Sequence, residues 1–208
     1  MKSEVLYHER RNKGIDQLLA VLQTMHPISD EVAQYFRDKV TLQYYERGSL
    51  VVEQGQVCSH YYFISSGALR GFVQHGDKEI TTWMSIENEM VTSIYSLHQH
   101  QPALENIATV EDSWLLQLTV EEMDALYTLY PSFNISGRIL LQQYYRDAEI
   151  RAYLARIPDA EQKYQFFRHY YTNLDQRMPQ KLIASYLGIR HETLSRIRKR
   201  MINAPKET

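Results

Sequence analysis

The sequence predicts an α+β fold. An N-terminal antiparallel β-roll (double-stranded β-helix, jelly-roll-like) with flanking helices is followed by one long helix and an all-α helix–turn–helix domain. Three observations carry this expectation. Short β-rich runs recur at even spacing between glycine turns from about residue 40 to residue 119. Leu141, Tyr145, Ala148, Ala152 and Ala155 then repeat at spacings of 4, 3, 4 and 3, as a two-helix seam does. Finally, residues 180–200 read QKLIASYLGIRHETLSRIRKR, a pattern suited to two helices crossing steeply.

Taken in order, Ile15, Leu18, Leu19 and Leu22 share one helical face, and His26-Pro27 breaks the run. Ser29 with Asp30 can cap a second helix carrying Val32, Tyr35 and Phe36. Strands are expected at 50–53, 61–64, 68–74, 79–84, 107–110 and 114–118. Turns fall at Arg47-Gly48, Gln54-Gly55, Ser66-Gly67 and Gly76-Asp77. Thr119 starts a helix as its cap, with Glu122 three residues on as reciprocal partner. The seam helix should run over 132–156, with Leu140, Tyr144, Ile150 and Leu154 turned to other faces that could pack on the roll. The alternative use of the seam residues is a broad buried face inside a monomer. Ile157-Pro158 ends this helix, Asp159 or Ala160 opens the next, and Met178-Pro179 leads into the final pair. The expected division is a sensor-like domain over 1–131, the seam helix over 132–156 and the helix–turn–helix domain over 157–208.

Within 180–200, Ile183, Leu187, Ile189, Leu194 and Ile197 seal the angle between the two helices, and Ala184 permits close approach. Gly188 makes the tight turn. The second helix, expected over 190–200, would expose Arg190, His191, Glu192, Arg196, Arg198, Lys199 and Arg200, a composition suited to the DNA major groove. On a plain hairpin the same residues would be a solvated basic face. The net charge of −2 conceals an uneven split. From Gln176 onward there are eight basic and two acidic residues, a balance of +6, which leaves −8 on residues 1–175. An acidic body with a basic tail points to a polyanion partner held by the C-terminal domain.

Cys58 is the only cysteine, which excludes an internal disulfide and a cysteine-ligated zinc or iron–sulfur site within one chain; its expected role is a small buried apolar residue. The opening MKSEVLYHERRNKG has no apolar signal core, and no stretch reaches bilayer length, so a cytoplasmic chain without membrane association is expected. His98-Gln99-His100 would face opposite sides of a strand and lacks a completing ligand, so no metal is expected there. Trp83, Tyr95 and Trp114 could line a roll cavity for an apolar or aromatic ligand, although such residues are commonly core. No catalytic constellation emerges, so no enzyme activity and no cofactor are expected.

The element order, the stretch RGSLVVEQGQVCSHYYFISSGALRGFV (47–73) and the stretch IASYLGIRHETLSRIRK (183–199) together resemble the Crp/Fnr superfamily of bacterial transcription regulators. The resemblance covers nearly the whole chain. It implies a homodimer joined through the long helix, double-stranded DNA as partner, contact with RNA polymerase, and a small-molecule effector in the roll. The implied DNA-facing residues are Gln180, Lys181, Arg190, His191, Glu192, Thr193, Ser195, Arg196, Lys199 and Arg200. Among them Arg196 suits guanine, Glu192 a cytosine amino group, and Lys181, Thr193 and Ser195 phosphates. His191 stands where the family commonly has arginine.

Two departures matter. Ala103-Leu104 occupies the place of the arginine and hydroxyl residue that grip a cyclic phosphate, and residues 79–120 contain no arginine or lysine. Cyclic AMP binding is therefore not expected. After Arg200 only MINAPKET remains, so the DNA-binding domain is expected to lack most of the family's β-hairpin wing. Haem sensing as in some relatives would need an axial ligand such as His75 or His98, and nothing in the sequence singles one out. The alternative to an effector-responsive regulator is a constitutive DNA binder whose vestigial roll serves as dimerisation and polymerase-contact scaffold.

Overall fold

The structure is a computed structural model that describes residues 2–203, with side chains described over 4–201. The first helix, α1 (Lys2–Met25), is longer than its apolar face alone predicts. Ile15, Leu18 and Leu22 bury their side chains as expected. The polar first half is tied down by bonds to distant backbone. Arg11 Nε donates to the Val40 carbonyl at 2.8 Å, and Tyr7 Oη donates to that of Leu42 at 3.0 Å. Helix α2 (Asp30–Lys39) begins at Ser29, whose hydroxyl accepts from the Val32 amide.

Eight strands follow: β1 (Thr41–Tyr45), β2 (Leu50–Val52), β3 (His60–Ser66), β4 (Ala68–His75), β5 (Lys78–Ile86), β6 (Met90–Val91), β7 (Asn106–Thr109) and β8 (Ser113–Thr119). The six expected strands are present with ends shifted by up to two residues; β1, which follows α2 directly and buries only Leu42, and the two-residue β6 lay outside the expected set. They form two four-stranded antiparallel sheets, β1-β8-β3-β6 and β2-β7-β4-β5. Between the sheets Tyr62, Ile64, Leu69, Val91, Leu97, Ile107 and Leu115 form a close core. Cys58 joins it, as expected, with its thiol against the Thr92 hydroxyl. The outer face of β1-β8-β3 packs instead on α1, α2 and α4 through Leu42, Phe63, Leu116 and Leu118. Residues 94–99, between the expected strands, form the helix α3 (Ile94–Gln99). His98 and His100 are both exposed, at the end of that helix and on its left-handed cap rather than on a strand.

Helix α4 (Val120–Leu129) carries the expected capping box. The Thr119 amide donates to Glu122 and the Glu122 amide to Thr119 Oγ1, both at 3.1 Å. A short 3₁₀ turn (Pro131–Phe133) leads into α5 (Asn134–Arg156). Helix α6 (Ala160–Tyr170) is capped by Asp159, and α7 (Thr172–Arg177) is a further short helix that the sequence pattern did not separate. Then come α8 (Gln180–Leu187), Gly188 in the left-handed region at φ 65°, and α9 (His191–Asn203). The start of MINAPKET is therefore helical, and the expectation of a truncated wing falls on 204–208, outside the described residues. The C-terminal core of Tyr164, Phe167, Leu174, Ile183, Leu187, Leu194 and Ile197 also takes in Leu154 of α5 and Ala68 and Met84 of the roll. No helix among the described residues is long and apolar enough to cross a membrane.

Candidate nucleic-acid interface and an adjoining cleft

Gly188 turns α8 into α9 with the left-handed backbone a side chain would strain. Leu194 and Ile197 of α9 then bury against Ile183 and Leu187 of α8. At about 100° per residue, Glu192, Ser195, Arg196 and Lys199 fall on the side of α9 opposite Leu194 and Ile197. Arg190, His191, Glu192, Arg196 and Lys199 are exposed, while Gln180, Thr193 and Ser195 are half-buried. Lys181 is exposed on the first turn of α8.

The basic residues of this domain divide sharply. Lys181, Arg190, Arg196 and Lys199 form no ion pair among the described residues. Arg200 pairs with Glu161 at 2.9 Å near the surface. Arg198, expected on the exposed face, turns inward: its Nε donates to Tyr164 Oη at 2.7 Å and its Nη2 to the Asp175 carbonyl at 2.9 Å and to the Asp175 carboxylate. Its position on α9 lies beside Leu194 and Ile197, so the helix period sends it toward α6 and α7. Arg177 also points away from solvent-borne partners. It bridges Glu87 and Glu111 of the roll, with Nη2 at 2.8 Å from one Glu87 oxygen. Burial raises the Glu87 pKa, but the Arg177 bonds and the Gly67 amide outweigh it and hold this carboxyl below its ordinary value. The helix–turn–helix domain also docks on β5 directly: Ser185 Oγ of α8 accepts from the Thr81 amide at 3.0 Å and donates to the Glu79 carbonyl at 3.2 Å.

On α5 the seam residues Leu141, Tyr145, Ala148, Ala152 and Ala155 are all exposed, Tyr145 to 68%. They do not form a buried face within the monomer. Tyr144 and Leu154 turn toward the rest of the chain, Tyr144 donating to the Met90 carbonyl and Leu154 joining the C-terminal core.

Similarity to known proteins agrees with this architecture. A family model described as cyclic nucleotide-binding domain matches residues 42–130. A CooA mutant from Carboxydothermus hydrogenoformans aligns with TM-score 0.68 and 16% identity, over 89% of this chain and 84% of that one. The Thermus thermophilus catabolite activator protein aligns with TM-score 0.52 and 22% identity, over 86% and 85%. A regulator of the Crp/Fnr family from Eubacterium rectale gives TM-score 0.61 and 16% identity, over 84% of each chain. The chain has the Crp/Fnr fold. Among curated proteins none matches its sequence significantly.

The stretch expected from the resemblance to hold a cyclic phosphate carries no cation. Ala103 is buried and Leu104 exposed, and the next residue is an acid, Glu105. A β-bulge explains how Glu105 is held. Gly71 pairs with Trp83 and Phe72 with Thr81, so Thr82 is the extra residue and turns to the same side as Trp83. Thr82 Oγ1 at 3.0 Å and Trp83 Nε1 at 2.9 Å both donate to Glu105 Oε2. Gly71 is required opposite, because a Cβ there would lie 2.2 Å from the indole nitrogen. Burial raises the Glu105 pKa, countered in part by the Thr82 and Trp83 bonds and the Arg151 charge.

Trp83 and Tyr95 do line a cleft, of about 770 Å³, yet it lies outside the roll, between β5–β6, α5 and the α6–α7 turn. Trp114 does not line it. It sits on the other sheet, 5.1 Å from the Tyr44 ring and beneath Arg10. Sequence reasoning missed Glu105, Arg151, Arg177 and Ser185. Their partners lie far away in the chain, and only the bulge-prone Gly71 hinted at close packing.

Proposed function

We propose that this protein is a homodimeric, sequence-specific DNA-binding transcription regulator that does not respond to cyclic AMP. The observation that carries the reading is the face of α9. Arg196 and Lys199 stand exposed and free of ion pairs directly opposite the buried Leu194 and Ile197, and Arg190 and Lys181 flank them. Arg196 can pair with guanine O6 and N7, Glu192 with a cytosine amino group, and Lys181, Thr193 and Ser195 with phosphates. The exposed, apolar and small-residue seam of α5 supports pairing of two copies, which would present two recognition helices. Against a cyclic nucleotide stand the apolar core between the two sheets and the pair Ala103-Leu104, neither of them a cation, where the resemblance places the phosphate-gripping residues. The catabolite activator protein and the Crp/Fnr family regulator named above are proteins of the same fold, and contact with RNA polymerase is proposed on that likeness.

The test is a selection of DNA sites on the purified full chain, followed by affinity measurements at several salt concentrations. The expected site is pseudo-palindromic, with half-site centres about 34 Å apart. Arg196→Ala should cost ~1–3 kcal/mol on that site and relax preference at one base pair per half-site. Lys181→Ala should weaken all sequences alike and lower the salt slope by about one. Equal losses on selected and random DNA for Arg196→Ala would refute base reading by α9. Calorimetry showing micromolar cyclic AMP binding would refute the effector part of the reading.

A further inference from the structure

The cleft of about 770 Å³ is in the range of small-ligand sites, ~300–1,000 Å³. Its aromatic wall comprises Trp83, Tyr95, Tyr144, Tyr170 and Tyr171, with Tyr95 and Tyr170 about half exposed. Besides Arg146 and Asp147, its charged lining is Glu89 at the mouth and Glu105 and Arg151, the last two of opposite charge and not closing on one another. Glu105 is fixed by Thr82 and Trp83, and Arg151 of α5 forms no hydrogen bond or ion pair among the described residues. Arg146 and Asp147, also on this wall, pair with each other at 3.7 Å and so answer one another's charge. Opposite charges held apart in a partly desolvated cleft gain most from a molecule that bridges them.

The dimer seam does not occupy this space. At about 100° per residue, the cleft stripe Leu140, Tyr144, Asp147 and Arg151 lies about a quarter turn round α5 from Leu141, Tyr145, Ala148 and Ala152. The cleft is also bounded by different parts of the chain: Val21, Thr24 and Met25 of α1, the β5–β6 edge of the roll with the start of α3, α5, and the turn at Tyr170 and Tyr171 that leads to the helix–turn–helix.

We propose that this cleft binds a small amphoteric ligand, an ammonium and a carboxylate on a flat apolar body, with the ammonium on Glu105 and the carboxylate on Arg151. Such a ligand joins the roll to α5 beside the root of the DNA-binding domain, and so is coupled to its orientation.

Aromatic amino acids are the simplest members of this class. The test is calorimetric titration of the full chain with L-tryptophan, L-tyrosine and L-phenylalanine, and with tryptamine and indole-3-propionate, which each lack one of the two charges. At least one amino acid should bind, and L-tryptophan should exceed both of its singly charged counterparts by tenfold or more. Arg151→Gln should abolish the preference over tryptamine, and Glu105→Gln the preference over indole-3-propionate. Glu105→Gln keeps the shape and an acceptor for Trp83 and Thr82, so it preserves the fold. Binding of tryptamine or indole-3-propionate equal to that of tryptophan overturns the proposal, and so does binding of none of the amino acids up to millimolar concentration. Because binding is read without DNA, its failure is distinct from failure of the DNA-binding reading.

Discussion

Arg196 and Arg198 stand two positions apart on α9 and have opposite fates. Arg196 faces solvent, whereas the Arg198 guanidinium is spent on Tyr164 and Asp175, its side chain 19% exposed and that of Asp175 13%. Removing Arg198 would leave Asp175 with the Tyr164 hydroxyl, at 3.0 and 3.2 Å from its two oxygens, and one longer cation contact, Arg168 at 3.4 Å. Arg198→Ala is therefore expected to destabilise the chain by ~1–3 kcal/mol, while Arg196→Ala should leave thermal stability nearly unchanged. Denaturant melts of the two variants check this. A second residue-scale consequence concerns Glu89, at the mouth of the cleft. Desolvation by the surrounding walls, together with the Asp147 and Glu87 charges, outweighs the Ser85 and Ile86 bonds and raises its pKa from 4.5 to about 7. The folded chain therefore holds this proton more tightly than the unfolded chain does. The resulting stability is complete below about pH 4.5 and lost as pH rises through about 7. Glu89→Gln should flatten the fall in melting temperature over that window, and a variant melting in parallel with the parent throughout would show that Glu89 is not the group responsible.

At the scale of elements, α5 does two jobs on separate faces. One face carries Tyr144, Asp147 and Arg151 toward the cleft, and the other exposes Leu141, Tyr145, Ala148, Ala152 and Ala155. Small residues at 148, 152 and 155 let a second helix approach closely, and Leu141 and Tyr145 supply apolar area. Replacing Ala148 and Ala152 by glutamate sets like charges against each other across the proposed axis. Sedimentation at micromolar concentration should show dimers for the parent chain and monomers for the double variant, with helix content unchanged because both positions are solvent-exposed in one chain. A parent chain sedimenting as a monomer would refute the seam.

At the scale of the whole molecule, the acidic roll and the basic C-terminal domain meet through specific groups. Arg177 spans Glu87 and Glu111, Ser185 completes the β5 edge, and Ala68 and Met84 enter the C-terminal core. The ion pairs are partly exposed, with the Arg177 side chain 33% accessible, so their net contribution is about 1 kcal/mol or less and salt-sensitive. Arg177→Ala should leave the global melt almost unmoved yet speed amide exchange at Thr81 and along α8. Raised salt should do the same to the parent chain. Unchanged exchange would mean that Ala68, Met84 and Ser185 alone hold the domains together.

Much of this architecture is local and so was legible in the sequence by itself. Period-two runs between glycine turns marked six of the eight strands, and the Thr119–Glu122 capping box marked the start of α4. The 4, 3, 4, 3 spacing marked a stripe that α5 leaves exposed in one chain, and Gly188 between two apolar stripes marked the helix–turn–helix. These signals act within a few residues, where backbone sterics and side-chain period dominate. Tertiary structure alone decided which polar residues answer one another. Arg177 meets acids 66 and 90 residues away. Arg198 meets Asp175 because of where α7 happens to lie, and α1 keeps its charged half helical through carbonyls of α2 and β1. Trp83 reaches Glu105 only because one bulged residue turns β5 beside Gly71. A charge carries no period, so its partner is set by how the elements pack.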